Sequence, residues 1–432
     1  MNKVITKAND RRPNCLSCGS TGKGRMKSNV LLALMLLSLY TITAYGADGL
    51  TGKMVDAEEI LWERFYSPKT RLFYDYITSY EKGQELAHLP RAEEVKQQLP
   101  NPCGYGTGME DCMISAGVMM TAVLNRYRCD SYKKGPKRAK SIFEGIERAI
   151  QSVPGQGFVA RGFSPFAPKD FYLNSSRDQV THAVMALWEY HRSGLPDRKV
   201  RERIRKSVRD VADRMRRNVT PANDYDFLRA DGAPCSYKIC KMENVLPHEA
   251  ARLAMIYAAA WDITGDSLYY RLWREKVHAA AEGSLHPLPQ TTTYGLLQMQ
   301  ESISLLMTME QDTALRKTFL QASSEASALV LSRIGRLESE RGSYELSMLA
   351  PDWRESGGLV PPYRPVWYHP RESGEVLLTL LSDPNNVFPA RAEQFLLHTL
   401  ESFNFSRQSG NGLFYLLAAW WTWKARATTI QR

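Results

Sequence analysis

Two kinds of helix alternate along this chain, and that alternation constrains its fold more than any other feature. One kind is amphipathic. Over 134–152, Ile142, Phe143, Ile146, Ala149 and Ile150 share a stripe, while Lys137, Arg138, Lys140, Glu144 and Arg148 fall elsewhere. Residues 196–218 repeat the arrangement, with Val200, Ile204, Val208, Val211 and Met215 set among Arg and Lys. A helix with one apolar stripe covers a core on that side and meets water on the other. The second kind has no polar face beyond its first turn: MISAGVMMTAVL at 113–124, AVMALW at 183–188, LAMIYAAAW at 253–261 and LFYLLAAWW at 413–421. Such a helix has to be surrounded by protein.

This pattern predicts inner helices beginning near 108, 175, 247, 292, 373 and 411. Outer helices follow the first five near 134, 196, 266, 312 and 389, and helical residues 53–80 can serve the sixth. No run alternates like a strand. Six and six is the count of an all-α (α/α)6 toroid, expected here as one domain over 47–432. Irregular spacing and the lack of a sequence repeat argue against an open solenoid. The composition, 44% hydrophobic and 24% charged over 432 residues, excludes a disordered, collagenous or coiled-coil chain.

The net charge of +10 hints at nucleic acid until it is located. Residues 1–46 carry seven basic side chains against Asp10, so six of the charges leave with them and +4 remains on 386 residues. That segment has the form of an upstream extension and a secretory signal peptide: Arg25 and Lys27, then the uncharged run Val30–Tyr45, then cleavage after Gly46. Met26 can be the true start. The run is short for a bilayer span of about 20 residues. A periplasmic or secreted protein with no stable membrane insertion and no nucleic-acid partner is therefore expected. In an oxidising compartment Cys103/Cys112 and Cys235/Cys240 are close enough in sequence to pair, which leaves Cys129 as an odd thiol. Cys15 and Cys18 form a CxxC ahead of the signal.

The long connections, 153–174, 219–246 and 336–372, all run from an outer helix to the next inner one, and they are rich in aromatics and Arg. Polar residues gather where the inner helices start: Gly104 to Asp111, Ser175 to Gln179, Pro247 to Arg252, Tyr294 with Gln298 and Glu301, and Arg371 to Glu375. Polar first turns above apolar helix bodies provide the ingredients of a cleft for a polar ligand.

The stretches NPCGYGTGMEDCM, GFVARGFSPF…NSSRDQVTHAVMALW, HEAARLAMIYAAAWDITGD and RPVWYHPRESGE resemble secreted bacterial carbohydrate-active proteins with an (α/α)6 barrel. They are most similar to uronate-related glycoside hydrolases of the β-glucuronidase-like and unsaturated glucuronyl hydrolase-like kinds, over most of 100–380. The resemblance implies an acidic, uronate-containing saccharide as substrate. The Asp178-Gln179 pair opening an inner helix matches the latter kind.

Glycoside hydrolysis usually needs two carboxyl groups, one protonated and one ionised. Asp178 is the first candidate, sharing a helix face with His182 four residues on; its bland alternative is a helix-dipole partner. For the second carboxyl Asp111 is preferred over Glu110, because Thr107-Gly-Met-Glu110 has the form of a capping box and would occupy Glu110 locally. Glu301 and Glu372 are reserves, with a solvated or salt-bridged face as the alternative. His248 and Arg252, four residues apart beside Glu249, can address a uronate carboxylate or form a buried ion pair. Arg161, Arg177, Arg364 and Arg371 can offer the bidentate fork a carboxylate prefers. His182, Tyr294 and Gln298 complete the polar ring, and Trp353, Tyr363 and Trp367 in the longest connection can stack on sugars or form small cores. By family analogy the expected mechanism is inverting. A lyase, with His248, His182 or Tyr294 as base, and a non-catalytic glycan-binding toroid are the alternatives. No metal or cofactor motif is present: there is no HExxH, no paired CxxC and no Walker sequence.

Overall fold

A computed structural model of the chain describes residues 49–356, 363–385 and 388–430, without the side chains of 356, 363–365, 429 and 430. The expected extension, signal run and cleavage point, with Cys15 and Cys18, lie outside the described residues. The chain divides into two units, Met1–Gly52 and Lys53–Arg432. Residues 49–52 of the first are helical.

The second unit is mostly helical. Helix α1 covers 53–64 here. It is followed by a two-stranded antiparallel ribbon, β1 (Tyr66–Ser67) and β2 (Leu72–Phe73), and by the short helix α2 (Ala92–Lys96). The expected helix over 53–80 thus ends at 64. Pro68 follows β1 within the connecting turn, and Arg71 takes a left-handed φ of 62° as its N–H closes back on the Ser67 carbonyl. Then come α3 (Cys112–Asp130), α4 (Gly135–Ile150), α5 (Arg177–Arg192), α6 (Arg198–Asn218), α7 (Arg252–Thr264), α8 (Ser267–Gly283), α9 (Thr293–Met309), α10 (Thr313–Glu340), α11 (Trp353–Ser356), α12 (Tyr363–Leu381), α13 (Ala390–Ser402) and α14 (Gly412–Ile430).

Aspartates cap three amphipathic helices. Asp197, Asp266 and Asp312 each accept a backbone N–H from the first turn of α6, α8 and α10. The apolar helices touch one another in order: α3 with α5, α5 with α7, α7 with α9, α9 with α12, α12 with α14, and α14 with α3. The amphipathic helices pack on them from outside this series. Thus α4 lies on α3 and α5, α6 on α5 and α7, α8 on α7, α10 on α9 and α12, and α13 on α12 and α14. Helix α1 fills the remaining place. Its buried Glu58 takes Arg126 of α3 and Arg138 of α4, each at 2.7 Å, while Lys53 donates to the Leu400 and Glu401 carbonyls of α13.

Two glycines let apolar helices approach. A Cβ on Gly117 of α3 would lie 2.9 Å from the His182 Cβ of α5, and one on Gly374 of α12 would run into Tyr415 and sit 2.8 Å from the Leu416 nitrogen of α14. Small residues at a crossing exchange side-chain volume for close backbone packing.

Three other expectations are corrected. Helix α12 begins at Tyr363 rather than near 373, with Pro370 inside it, and α10 runs on to Glu340 because Ile334 and Leu337 still face the core. The connection over 336–372 therefore shrinks to 341–362. Cys235 and Cys240 are disulfide-bonded, but Cys103 and Cys112 remain buried free thiols. Cys112 is committed to opening α3, its Sγ 3.5 Å from the Met109 carbonyl, and Cys103 Sγ takes the Asn174 amide at 3.3 Å. Cys129 is a free thiol too, pushed up to about 11 by burial, which keeps it protonated and unreactive. Among the described residues, no helix is long and apolar enough to cross a membrane.

Candidate active site

The starts of α3 and α5 bring together Glu110, Asp111 and Asp178, with Arg252 supplied by the start of α7. Asp111 stands at the N-cap of α3 without capping it through its side chain. Instead its Oδ1 accepts from Arg161 (3.4 Å) and from the Gln179 amide (3.1 Å), and its Oδ2 accepts from Arg371 (3.2 Å). Arg161 also donates to the Glu110 carbonyl, and Arg371 to Glu375 at 2.8 Å. Both guanidiniums are almost wholly buried; Asp111 is paired with each, and Glu375 is a second partner of Arg371.

Asp178 lies in the first turn of α5, behind the N-cap Ser176, whose hydroxyl accepts the Gln179 N–H. Its Oδ1 takes Arg252, a guanidinium only 1% exposed, while the Asp178 side chain is 27% exposed. Burial raises the Asp178 carboxyl, but Arg252, with help from Arg177 and Arg161, overcomes it and holds the group below the usual carboxylate value. Asp178 is therefore ionised at neutral pH with one edge turned to solvent.

Glu110 behaves differently. No capping box forms, since α3 starts two residues after it; Glu110 Oε1 instead accepts the Gly106 N–H at 2.9 Å, and Oε2 is buried without a partner among the described residues. Burial, and then the neighbouring Asp111 charge, raise it to about 7. Asp75, which sequence reasoning missed, is raised well above the ordinary value by burial and by Asp111 and Glu110. It accepts from the Asp111 N–H, Ser115 and Asn411. Glu375, also missed, is buried and raised to about 7. Two arginine-paired carboxylates, Asp178 partly open to solvent and Asp111, and several carboxyls able to hold a proton thus occupy a single neighbourhood. Tyr105 joins the two aspartates, its hydroxyl lying in the field of Arg161, Asp111 and Asp178.

The imidazoles are neutral. Burial lowers His182 to about 3 and His248 to about 4. His182 Nδ1 lies 3.5 Å from Glu301 Oε2; His248 Nε2 lies 3.7 Å from Glu249, and its Nδ1 is buried with no partner among the described residues. Tyr294 is raised by burial and by Asp178, and its ring lies 6.0 Å from the Arg371 guanidinium. Gln298 is fully buried, and no described residue hydrogen-bonds to either end of its amide.

Several candidates stand apart from this cluster. Arg177 binds Glu249 and the Lys238 and Lys241 carbonyls, so it, Arg161, Arg252 and Arg371 each already hold a carboxylate of the protein, although the Arg252 Nε has no partner among the described residues. Glu372 takes Arg336 of α10 at 2.6 Å and the Thr293 hydroxyl at the start of α9 at 2.9 Å; the salt-bridged alternative describes it. Glu301, two turns into α9, lines a cavity of about 360 Å³ together with Thr121, Arg128 and Glu189, residues toward the C-terminal ends of α3 and α5. Burial, then Glu189, raise it to about 8. Trp353 and Trp367 are core residues rather than stacking surfaces. Each indole is buried and donates to a backbone carbonyl, of His88 and Asp75 respectively. The side chains of Tyr363 and Arg364 lie outside the described residues. Among the described residues the one grouping of metal-type ligands, Asp226 with Cys235 and Cys240, has both sulfurs tied in the disulfide.

Gln179 is marked with Asp178 as a pair opening a helix, and Glu375 could have been singled out, since it stands four residues from Arg371 on one helix face. Nothing in the sequence marks Asp75, which lies in the irregular segment after β2. Comparison with known proteins finds no family model and no curated protein that matches this chain.

Proposed function

We propose that the chain is a closed (α/α)6 toroid and a glycoside hydrolase acting on uronate-containing saccharides. The contact series from α3 through α14 and back to α3, with α1 as sixth outer helix, supports the ring. The observation that carries the activity is the contrast of protonation at the starts of two adjacent inner helices. Asp178 is held ionised by Arg252, while Glu110 retains a proton near neutral pH because burial and the Asp111 charge oppose its ionisation. Glycoside hydrolysis needs that division of labour: one carboxyl protonates the leaving oxygen and the other, ionised, activates water or attacks the anomeric carbon.

In this scheme Asp178 is the base and Glu110, beside the Asp111 charge, is the acid. The acidic substrate is carried by the sequence resemblance and by the density of guanidinium groups beneath the site. With each candidate arginine already holding a carboxylate, a uronate carboxylate would share Arg161 or Arg371 with Asp111 rather than meet an idle arginine. A lyase is the second reading, favoured by one observation: His248 is neutral, and its Nδ1 has no partner among the described residues. Incubation with uronate-containing oligosaccharides separates the possibilities. New reducing ends without the ultraviolet absorbance of a 4,5-unsaturated uronate support the hydrolase, a gain of that absorbance the lyase, and binding without turnover a glycan-binding protein.

A further inference from the structure

One surface feature next to the candidate site has no part in the acid and base chemistry of the carboxyls. The segment between Cys235 and Cys240 is closed by the disulfide and fastened from three sides. Arg177, at the start of α5, donates through Nη1 to the Lys238 carbonyl (2.9 Å) and the Lys241 carbonyl (3.1 Å), and its backbone N–H donates to Ile239 O. Asn174 Oδ1 accepts the Ser236 N–H, and Asp226 Oδ2 accepts the Cys235 N–H. Despite these anchors Tyr237 and Lys238 stand in consecutive left-handed conformations, φ 59° and 55°, which side-chain-bearing residues seldom adopt. The result is a tyrosine 68% exposed on a loop that cannot fold it away.

The loop holds that ring beside the site. The centroid of Tyr237 lies 6.5 Å from that of Tyr105, itself 39% exposed, and the Arg161 guanidinium lies 4.8 Å from the Tyr105 ring centre while its other end binds Asp111. Lys238 is exposed next to Tyr237. Flat, rigid, exposed aromatic faces flanked by cations suit a pyranose ring, whose C–H face packs on an aromatic, when that ring also carries a carboxylate.

We infer that Tyr237 and Tyr105 form a second saccharide subsite, which takes the acidic sugar unit next to the one at Asp111 and Asp178, so that the protein prefers oligosaccharides to disaccharides. The inference rests on the hydrolase reading for the identity of its ligand, and it deepens that reading by assigning chain length to a particular loop.

The test is calorimetric binding, with turnover measured alongside, of digalacturonate and tetragalacturonate and of chondroitin-derived di- and tetrasaccharides. The proteins compared are the wild-type chain, Tyr237→Ala, and a Cys235→Ser/Cys240→Ser double variant. The tetrasaccharide of the series that binds is expected to lose about tenfold in affinity in Tyr237→Ala, the loss of one stacking contact, while the disaccharide changes less than twofold. Unlocking the loop in the double variant should give the same selective loss. Equal effects on both lengths, or none on either, overturn the subsite and leave the hydrolase reading standing. Failure of the wild-type chain to bind or turn over any of the four overturns both.

Discussion

Replacing Asp178 by Asn tests the candidate site most directly, and the structure changes what that variant should do to stability. From sequence alone Asn is isosteric, sits well near a helix start, and should abolish turnover with little change in thermal midpoint. The structure adds Arg252, which is 1% exposed and has Asp178 as its one ion-pair partner among the described residues. Removing one member of a buried ion pair costs about 3–5 kcal/mol because a charge is left without compensation. Two features reduce that figure: the Asp178 side chain is 27% exposed, so water reaches one end of the pair, and Asn can still accept one hydrogen bond from Arg252. A loss of about 1–3 kcal/mol is expected, a drop of a few degrees in a domain of this size. Adding Arg252→Met removes the stranded cation and should recover at least half of that loss, whereas turnover should stay abolished in both variants. Denaturant unfolding and reducing-end assays on the two proteins decide it. If the double variant is no more stable than the single one, the stranded charge is not the source of the loss. If turnover in Asp178→Asn stays within tenfold of wild type, Asp178 is only the counter-ion of Arg252, and the role of base passes to another group.

Stability should fall as pH rises from 6.5 to 8.5. Burial raises Glu110, Glu375 and Glu301 to about 7, 7 and 8 from 4.5, so the folded protein keeps protons that the unfolded chain has released, and that advantage disappears as pH passes through the folded values. Each contributes at most about 1.4 kcal/mol per pH unit. The urea midpoint should be lower at 8.5 than at 6.5 and the difference smaller in Glu301→Gln; an unchanged midpoint refutes the assignment. Below 6.5 the neutral His182 and His248 act in the opposite sense: their stabilisation is complete above 6.5 and is lost as pH falls toward about 3 and 4, which opposes the carboxyl effect. Glu372→Gln should leave turnover within twofold, because its carboxylate is paired with Arg336 on α10, and a tenfold loss would bring it back into the site. Gly374→Ala should cost about 1–3 kcal/mol, since the new methyl meets Tyr415 and the backbone of α14; wild-type stability would show that α12 and α14 pack less tightly at this crossing.

The helices were legible because each kind is set by a local rule. An amphipathic stripe or an all-apolar body can be seen within a single turn or two, and Asp197, Asp266 and Asp312 announce where three outer helices start; the observed starts at 198, 267 and 313 fall within two residues of the expected ones. Legibility failed where a long-range contact overrode the local signal. Residues 65–80 look helical until Pro68 and Arg71 turn the chain back on itself. Helix α12 begins well before Pro370, although proline normally ends a helix at or before the preceding residue. The Cys103/Cys112 pairing was judged on spacing alone, which says nothing about Cys112 being committed to the first turn of α3.

The site shows a sharper limit. Residue types and helix starts located Asp111, Asp178, Arg161, Arg252 and Arg371 in one neighbourhood, yet the chemistry of each depends on partners from distant segments. Glu110 and Asp111 are neighbours in sequence and would be ranked by local roles, a capping box for one and freedom for the other. The structure gives each of them partners that no local role reveals. Asp111 is held by two arginines and an amide that come from 50, 68 and 260 residues away, and Glu110 is the carboxyl whose ionisation burial opposes. Protonation state is the property that distinguishes an acid from a base at neutral pH, and it depends on desolvation and on the sum of nearby charges, neither of which has a signature in a short sequence window. A carboxylate at a helix start can therefore be found from sequence, but its assignment as donor or acceptor needs the cation that the fold places against it.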